Sequence, residues 1–340
     1  MKAIFLLRFT AFSVYLQAKL LITLECGFTM PGPIKLIAGR SNKPLAEKIA
    51  GYLGISLTST ETTNFMDGEF RVQVNENIRG HDVFIIQGTN PPAENLLELL
   101  MLIETARRAS ADKVTAVVPY YGYGRQDRKD RPRVGITAKL VANVISVAGA
   151  DRIVTLDLHA PQLQGFFDIP SDHLFANPVF LNEFRSRRFD NLVMLAPDIG
   201  SVKMVRAFAN SLHCGLAIVD KRRPDYNKSE VLNIIGEVEG KTVIIRDDMC
   251  DTAGTLTDAA RGVISRGASE VYACCTHGLF SGDAIEKIEN SPIKELWVTD
   301  SLDQDKSKDC SKIRVMSTAQ LFGEAIRRIS NRESISILFD

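Results

Sequence analysis

The residues with the densest chemical content are Arg246-Asp-Asp-Met-Cys-Asp-Thr-Ala-Gly-Thr255, which put three carboxylates, two hydroxyls and a glycine directly after the β-branched run Thr242-Val-Ile-Ile245. Where a strand gives way to a helix, successive backbone N–H groups are free to bind an anion. Asp251, Thr252, Ala253, Gly254 and Thr255 at such a turn predict a phosphate cradle. Asp247 and Asp248, on the strand side, suit sugar hydroxyls, so the stretch as a whole predicts a sugar phosphate ligand. A simple helix cap would need only one acid or threonine, fewer than stand here.

Comparable residues follow other apolar runs. They are a basic, glycine-bearing loop from Tyr120 to Gly135 with Arg125 and Gln126; His159 in Asp157-Leu-His-Ala160; Asp198 in Pro197-Asp-Ile-Gly200; and Lys221 with Arg223 in Asp220-Lys-Arg-Arg-Pro224. In open α/β sheets, ligands bind in the loops that leave the carboxyl ends of strands, which is where all these groups fall. Each also has a bland alternative: a solvated loop for Lys129–Arg133, a satisfied core histidine for His159, and a surface patch for Lys221 and Arg223. For Asp67, Gly68 and Glu69 the residues alone predict a hairpin turn, since Asp-Gly is a turn signal. Cys250 is expected to be a small turn residue.

The elements that must hold these groups alternate. Strands are predicted at Lys35–Ala38, Asp82–Gln87, Lys113–Pro119, Asp151–Leu156, Asn191–Ala196, Leu216–Val219, Thr242–Arg246, Glu270–Cys275 and Glu295–Thr299. Helices are predicted at Pro44–Leu53, Glu94–Arg108, Thr137–Ala148, Ser201–Leu212, Thr255–Arg266 and Thr318–Ile329. This alternation implies an α/β fold with mostly parallel sheets flanked by helices. Two halves of similar size are expected, divided near Gln164–Pro178: residues 31–170 and 171–330, with 331–340 returning to the first half and Ser334–Phe339 forming a last strand.

With 340 residues, 45% apolar and 24% charged, the chain can build a sizeable core. Its net charge of zero gives no global attraction for nucleic acid or an anionic membrane. The six cysteines lack paired spacing, which suits a reducing, cytoplasmic setting. Residues 1–30 carry Lys2, Arg8, Lys19 and Glu25 among apolar residues, too interrupted for a membrane span; Met30 is expected to be the natural start, with the preceding segment disordered or not translated.

The loops carry a family resemblance. Asp247-Asp-Met-Cys-Asp-Thr-Ala-Gly-Thr255 resembles the ribose-binding loop of proteins that make or use 5-phosphoribosyl 1-diphosphate. The stretches beginning Asp157-Leu-His, Tyr121-Gly-Tyr-Gly-Arg-Gln-Asp and Glu324-Ala-Ile-Arg-Arg resemble ribose-phosphate pyrophosphokinases, from about Ile34 to Phe339. This resemblance implies two similar phosphoribosyltransferase-like domains and a magnesium-dependent transfer of diphosphate from ATP to the C1 hydroxyl of ribose 5-phosphate. By resemblance Asp67, Gly68, Glu69, Arg125 and Gln126 bind ATP, and His159 and Asp198 associate with Mg2+. Lys221 is catalytic, while Arg223, Asp247, Asp248 and Asp251 to Thr255 bind ribose 5-phosphate. A homo-oligomer, commonly a hexamer, is implied in the same way. Two departures stand out: Ser201 where a second glycine is commoner, and Arg246 where the family has an apolar residue. Arg246 is expected either to place a cation beside Asp247 and Asp248 or to face solvent. The rival readings are a phosphoribosyltransferase, which needs only the ribose loop, and a non-catalytic regulatory homologue, which would lack Lys221, His159 or Arg125.

Overall fold

The structure is a computed structural model, and it describes residues 33–187, 189–222 and 231–338. The described chain begins with β1 (Ile34–Ala38), α1 (Lys43–Leu53), the hairpin strands β2 (Thr60–Asn64) and β3 (Phe70–Val74), β4 (Asp82–Ile86) and α2 (Glu94–Arg108). It continues with β5 (Lys113–Val118), α3 (Thr137–Ala148), β6 (Arg152–Leu156), β7 (Ser171–Leu174), α4 (Asn177–Arg187), β8 (Leu192–Ala196) and α5 (Val202–Ser211). After β9 (Gly215–Arg222) and β10 (Val231–Ile235) come β11 (Thr242–Cys250), α6 (Gly254–Ser265), β12 (Glu270–Gly278), α7 (Ala284–Glu289), β13 (Ile293–Thr299), β14 (Ile313–Met316) and α8 (Ala319–Ser330).

Two sheets organise these elements. The first has the order β1-β4-β5-β6-β7 and is parallel throughout; the second has the order β10-β9-β8-β11-β12-β13-β14, antiparallel only between β9 and β10. The central strands read as unbroken apolar runs because both faces are covered, as parallel sheets require. On β11, Ile244 faces one core and its neighbours Val243 and Ile245 another, the two-residue alternation of a strand.

One buried cluster is common to both sheets. It combines Leu36, Phe84 and Leu156 of the first with Met194, Ile244 and Trp297 of the second, joined by Leu45 and Ile49 of α1, Phe180 and Phe184 of α4, Phe208 of α5, and Phe322 and Ile326 of α8. Helices α2 and α3 complete a separate core on the first sheet, and α6 does so on the second. Close approach is built in where α8 meets α1: a methyl group on Gly323 would lie 2.3 Å from the Tyr52 ring. Among the described residues no helix is long and apolar enough to cross a membrane.

Every helix predicted above is present, as is every predicted strand except the last, and the α/β class holds. Three points differ. The last segment forms a single 3-10 turn at Ser336–Leu338, not a strand. Strand β11 runs on through Cys250, beyond the predicted end at Arg246. The expected division between residues 170 and 171 falls immediately before β7, which pairs in parallel with β6 in the first sheet. Residues 1–32, Arg188, 223–230 and 339–340 lie outside the described residues.

Candidate active site

The second sheet reverses its winding between β8 and β11, neighbours that lead to opposite sides of the sheet. Such a switch point opens a crevice at the strand ends. Strand β8 pairs with β11 only as far as Leu195 against Ile245, while β11 continues beside β12 to Cys250. Asp247 and Asp248 therefore project past the end of β8, toward the turn that carries Asp198. Asp247 is buried, and its Oδ1 accepts the Asp248 N–H at 2.9 Å. Burial, with the nearby charges of Asp248 and Asp198, pushes the Asp247 carboxyl well above the usual carboxylate range.

Loops from the first sheet close on this crevice. His159, just past β6, places Nδ1 2.7 Å from Asp248 Oδ2. Burial opposes the charge on Asp248, but its hydrogen bond to His159 prevails and holds the carboxyl below its ordinary value; the same bond raises His159. From the loop after β5, Arg125 Nη1 donates to Asp251 Oδ2 at 2.6 Å. A third link is made by Arg246, whose Nη2 donates to Asp157 Oδ2 at 2.9 Å and to Thr276 Oγ1 at 2.8 Å. Its Nη1 donates to the main-chain oxygen of Asp247, its guanidinium lies 5.0 Å from the centre of the Phe180 ring, and the side chain is fully buried. Both directions expected of Arg246 are thus corrected: it neither faces solvent nor pairs with the neighbouring carboxylates, because Asp157 offers a buried counter-charge.

The turn before α6 keeps the form of an anion cradle. Ala253 adopts a left-handed conformation, φ 61°, and no side chain caps the helix that starts at Gly254. The turn is anchored instead from the loop after β12, where Leu279 N–H donates to Cys250 O and Ser281 N–H to Asp251 O, each at 2.9 Å. Thr252 is exposed and Thr255 is half-buried. Asp251 gives its carboxylate to Arg125, leaving the turn's amides to receive an anion.

The other predicted residues are placed as follows. Ser201 N–H donates to Asp198 Oδ1 at 2.9 Å, and the Ser201 hydroxyl donates to Asp198 O at 3.0 Å. Ser201 has φ −82°, so the turn needs no second glycine, and its hydroxyl does not cap the helix. Gln126 Oε1 accepts from the Thr137 hydroxyl at 2.5 Å, tying the loop to the start of α3. Asp67, Gly68 and Glu69 form the exposed tip of the β2–β3 hairpin, where Glu69 N–H donates to Asp67 Oδ1 at 3.0 Å. That hydrogen bond stays within the hairpin. Lys221 is on β9, with its backbone opposite Leu232. Arg223 lies outside the described residues. Two further acids after β6 are paired elsewhere: Asp168 with Lys139 and Asp172 with Arg152.

Among the described residues no three His, Cys, Asp or Glu side chains form a ready cage for a metal. Magnesium rarely needs one, since it keeps several waters and is held by one or two carboxylates plus substrate phosphates. The oxygen-rich donor set of Asp247, Asp248 and Asp198 fits that requirement.

Thr276, His277 and Tyr120 escape the sequence reading. All three are buried: His277 Nδ1 lies 2.8 Å from Ser301 Oγ, and its ring meets the Tyr120 ring edge-on at 5.0 Å. The predicted strand stops at Cys275, whereas β12 runs on to Gly278 and places Thr276 and His277 at its end beside the crevice.

Comparison with known proteins shows which family shares this sequence and fold. The N-terminal domain of ribose phosphate pyrophosphokinase matches residues 34–149, and the phosphoribosyl synthetase-associated domain matches residues 225–340. A ribose-phosphate pyrophosphokinase of Chlorobaculum tepidum is 56% identical over 92% of this chain and 96% of its own. One of Clostridium tetani is 52% identical over 90% and 97%. The crystal structure of phosphoribosylpyrophosphate synthetase from Mycobacterium smegmatis superposes with a TM-score of 0.84 at 36% identity, covering 88% of this chain and 99% of that one. With this identity along almost its whole length, the chain belongs to the ribose-phosphate pyrophosphokinase family.

Proposed function

We propose that the crevice at the ends of β5, β6, β8 and β11 performs the family reaction with the residues described above. The enzyme is a diphosphoryl transferase: the C1 hydroxyl of ribose 5-phosphate attacks the β-phosphorus of ATP. The bond from that phosphorus to the α-phosphate oxygen breaks, giving 5-phospho-α-D-ribose 1-diphosphate and AMP. The observation that carries the assignment of residues is the pair of contacts across the crevice, His159 to Asp248 and Arg125 to Asp251. They bring a basic loop onto the predicted sugar phosphate turn.

In this reading Asp251 to Thr255 hold the 5-phosphate through main-chain N–H groups, and Asp247 and Asp248 orient the ribose hydroxyls. Arg125 is already posted at the turn by Asp251, ready to meet the transferring group when the loop after β5 closes and excludes water. Lys221 and Arg223 supply further positive charge to that group. Asp67, Gly68, Glu69 and Gln126 are assigned to ATP on the family resemblance. Mg2+ would be held by Asp198 and the Asp247–Asp248 pair, with His159 beside it, and would offset charge on the ATP phosphates. No side chain is assigned as general base, because positioning and charge carry most of a phosphoryl transfer.

The first sheet thus serves the nucleotide and the second the sugar phosphate. A cytoplasmic homo-oligomer, a hexamer by family resemblance, completes the proposal, with a product that feeds purine, pyrimidine, NAD, histidine and tryptophan synthesis. The test is to incubate the purified protein with ATP, ribose 5-phosphate and Mg2+ and to measure AMP and the diphosphate product. Equal amounts of the two are expected; an absence of AMP from assembled protein would overturn the assignment.

A further inference from the structure

We infer that Arg246 is a positioning residue, a clamp that joins the end of β6 to the ends of β11 and β12 and so sets the geometry between His159 and Asp248. The inference rests on the activity proposed above. Arg246 directly precedes the acidic pair, yet its guanidinium turns away from both carboxylates. It spans Asp157 Oδ2 at 2.9 Å, Thr276 Oγ1 at 2.8 Å and the main-chain oxygen of Asp247. A planar guanidinium can serve acceptors in several directions at once, which an ammonium group does less well.

Asp157 is consumed by this arrangement. Besides Arg246 it accepts the Thr276 hydroxyl and, at 3.4 Å, the Ala176 N–H. Although two residues from His159, it is buried, and its Oδ2 takes all three of these donors. Its backbone has φ 35°, unusual for a residue other than glycine, at the point where the chain leaves β6 for His159. One guanidinium therefore grips the chain two residues before His159 and one residue before Asp248. A buried ion pair is often no more stabilising than apolar residues of similar volume. What an apolar side chain could not do at this position is fix the two segments relative to each other.

The test compares two variants with the wild type. Arg246→Met combined with Asp157→Asn removes both charges together, leaving no lone buried ion, and Arg246→Lys keeps the charge without the three-way reach. In variants shown to be folded by thermal melting, kcat is expected to fall by about tenfold or more. KM for ribose 5-phosphate is expected to stay within about threefold, because the Asp251–Thr255 turn is untouched. The ring 15N resonances of His159, recorded without substrates, should shift in both variants. Arg246→Lys also serves if the double variant does not fold. A folded variant with wild-type kcat and unmoved His159 resonances would overturn the inference. A wild-type protein that makes no AMP would instead overturn the proposed activity, and the His159 resonances would then judge the clamp alone.

Discussion

In the proposed mechanism, single side chains divide into those that meet ligand and those that hold the others in place. Lys221→Ala should lower kcat by about two or more orders of magnitude, as expected for loss of a cation that acts on the transferring group. Ribose 5-phosphate affinity by calorimetry should remain near wild type, and a variant as active as wild type would remove Lys221 from the mechanism. Arg125→Ala should cost a similar factor in kcat but about 1 kcal/mol or less of stability, since its pair with Asp251 is partly exposed. Arg246→Met alone should behave in the opposite way in a urea titration, losing about 3–5 kcal/mol because Asp157 is left as a lone buried charge. The types of these residues were legible in the sequence, their partners much less so. His159 and Asp248 are separated by 89 positions, as are Arg246 and Asp157. No local pattern encodes such a meeting, so Arg246 could be recognised as unusual and still be aimed wrongly.

The elements were legible where apolar runs were long and both faces buried. The central strands were found for that reason, and α2, α3, α6 and α8 for their helical spacing. Strand β7, Ser171–Leu174, was missed because an edge strand of mixed polarity carries no such pattern. Helix α4 was missed because Pro178 and the preceding Gly and Pro residues resemble a linker, while its buried Phe180 and Phe184 show their role only once α5 and Trp297 pack on them. The loop after β5 illustrates how an element positions a site. Gly122 N–H donates to Thr89 Oγ1 at 2.7 Å, and a methyl group at Gly122 would lie 2.0 Å from the Thr89 carbonyl oxygen. Gly122→Ala must move backbone, so it should cost about 2–4 kcal/mol in urea unfolding. Because the displaced segment leads to Arg125, activity should fall as well, beyond what the unfolded fraction explains.

At the scale of the whole molecule, two buried histidines tie stability to pH. Burial lowers His173 and His277 below their ordinary values, and Leu158 N–H donates to His173 Nε2 at 2.9 Å, which a proton there would prevent. The unfolded chain binds these protons more readily, so their contribution is complete above about pH 6.5 and is lost as pH falls from there through the lower folded values. His159, raised by Asp248, acts with the opposite sign. The comparison is therefore made between wild type and His173→Gln, and the loss of melting temperature from pH 7.5 to 5.5 should be smaller in the variant. The shared core has a different consequence, one that concerns time. Helix α8 packs against α1, which lies far earlier in the chain, and Asn42 and Lys48 bond to Asp300. During translation the part of the α1 apolar face that α8 covers stays open until α8 has left the ribosome. Fragments that end before α8 should accordingly accumulate as insoluble product, and the growing chain should depend on chaperones until α8 arrives.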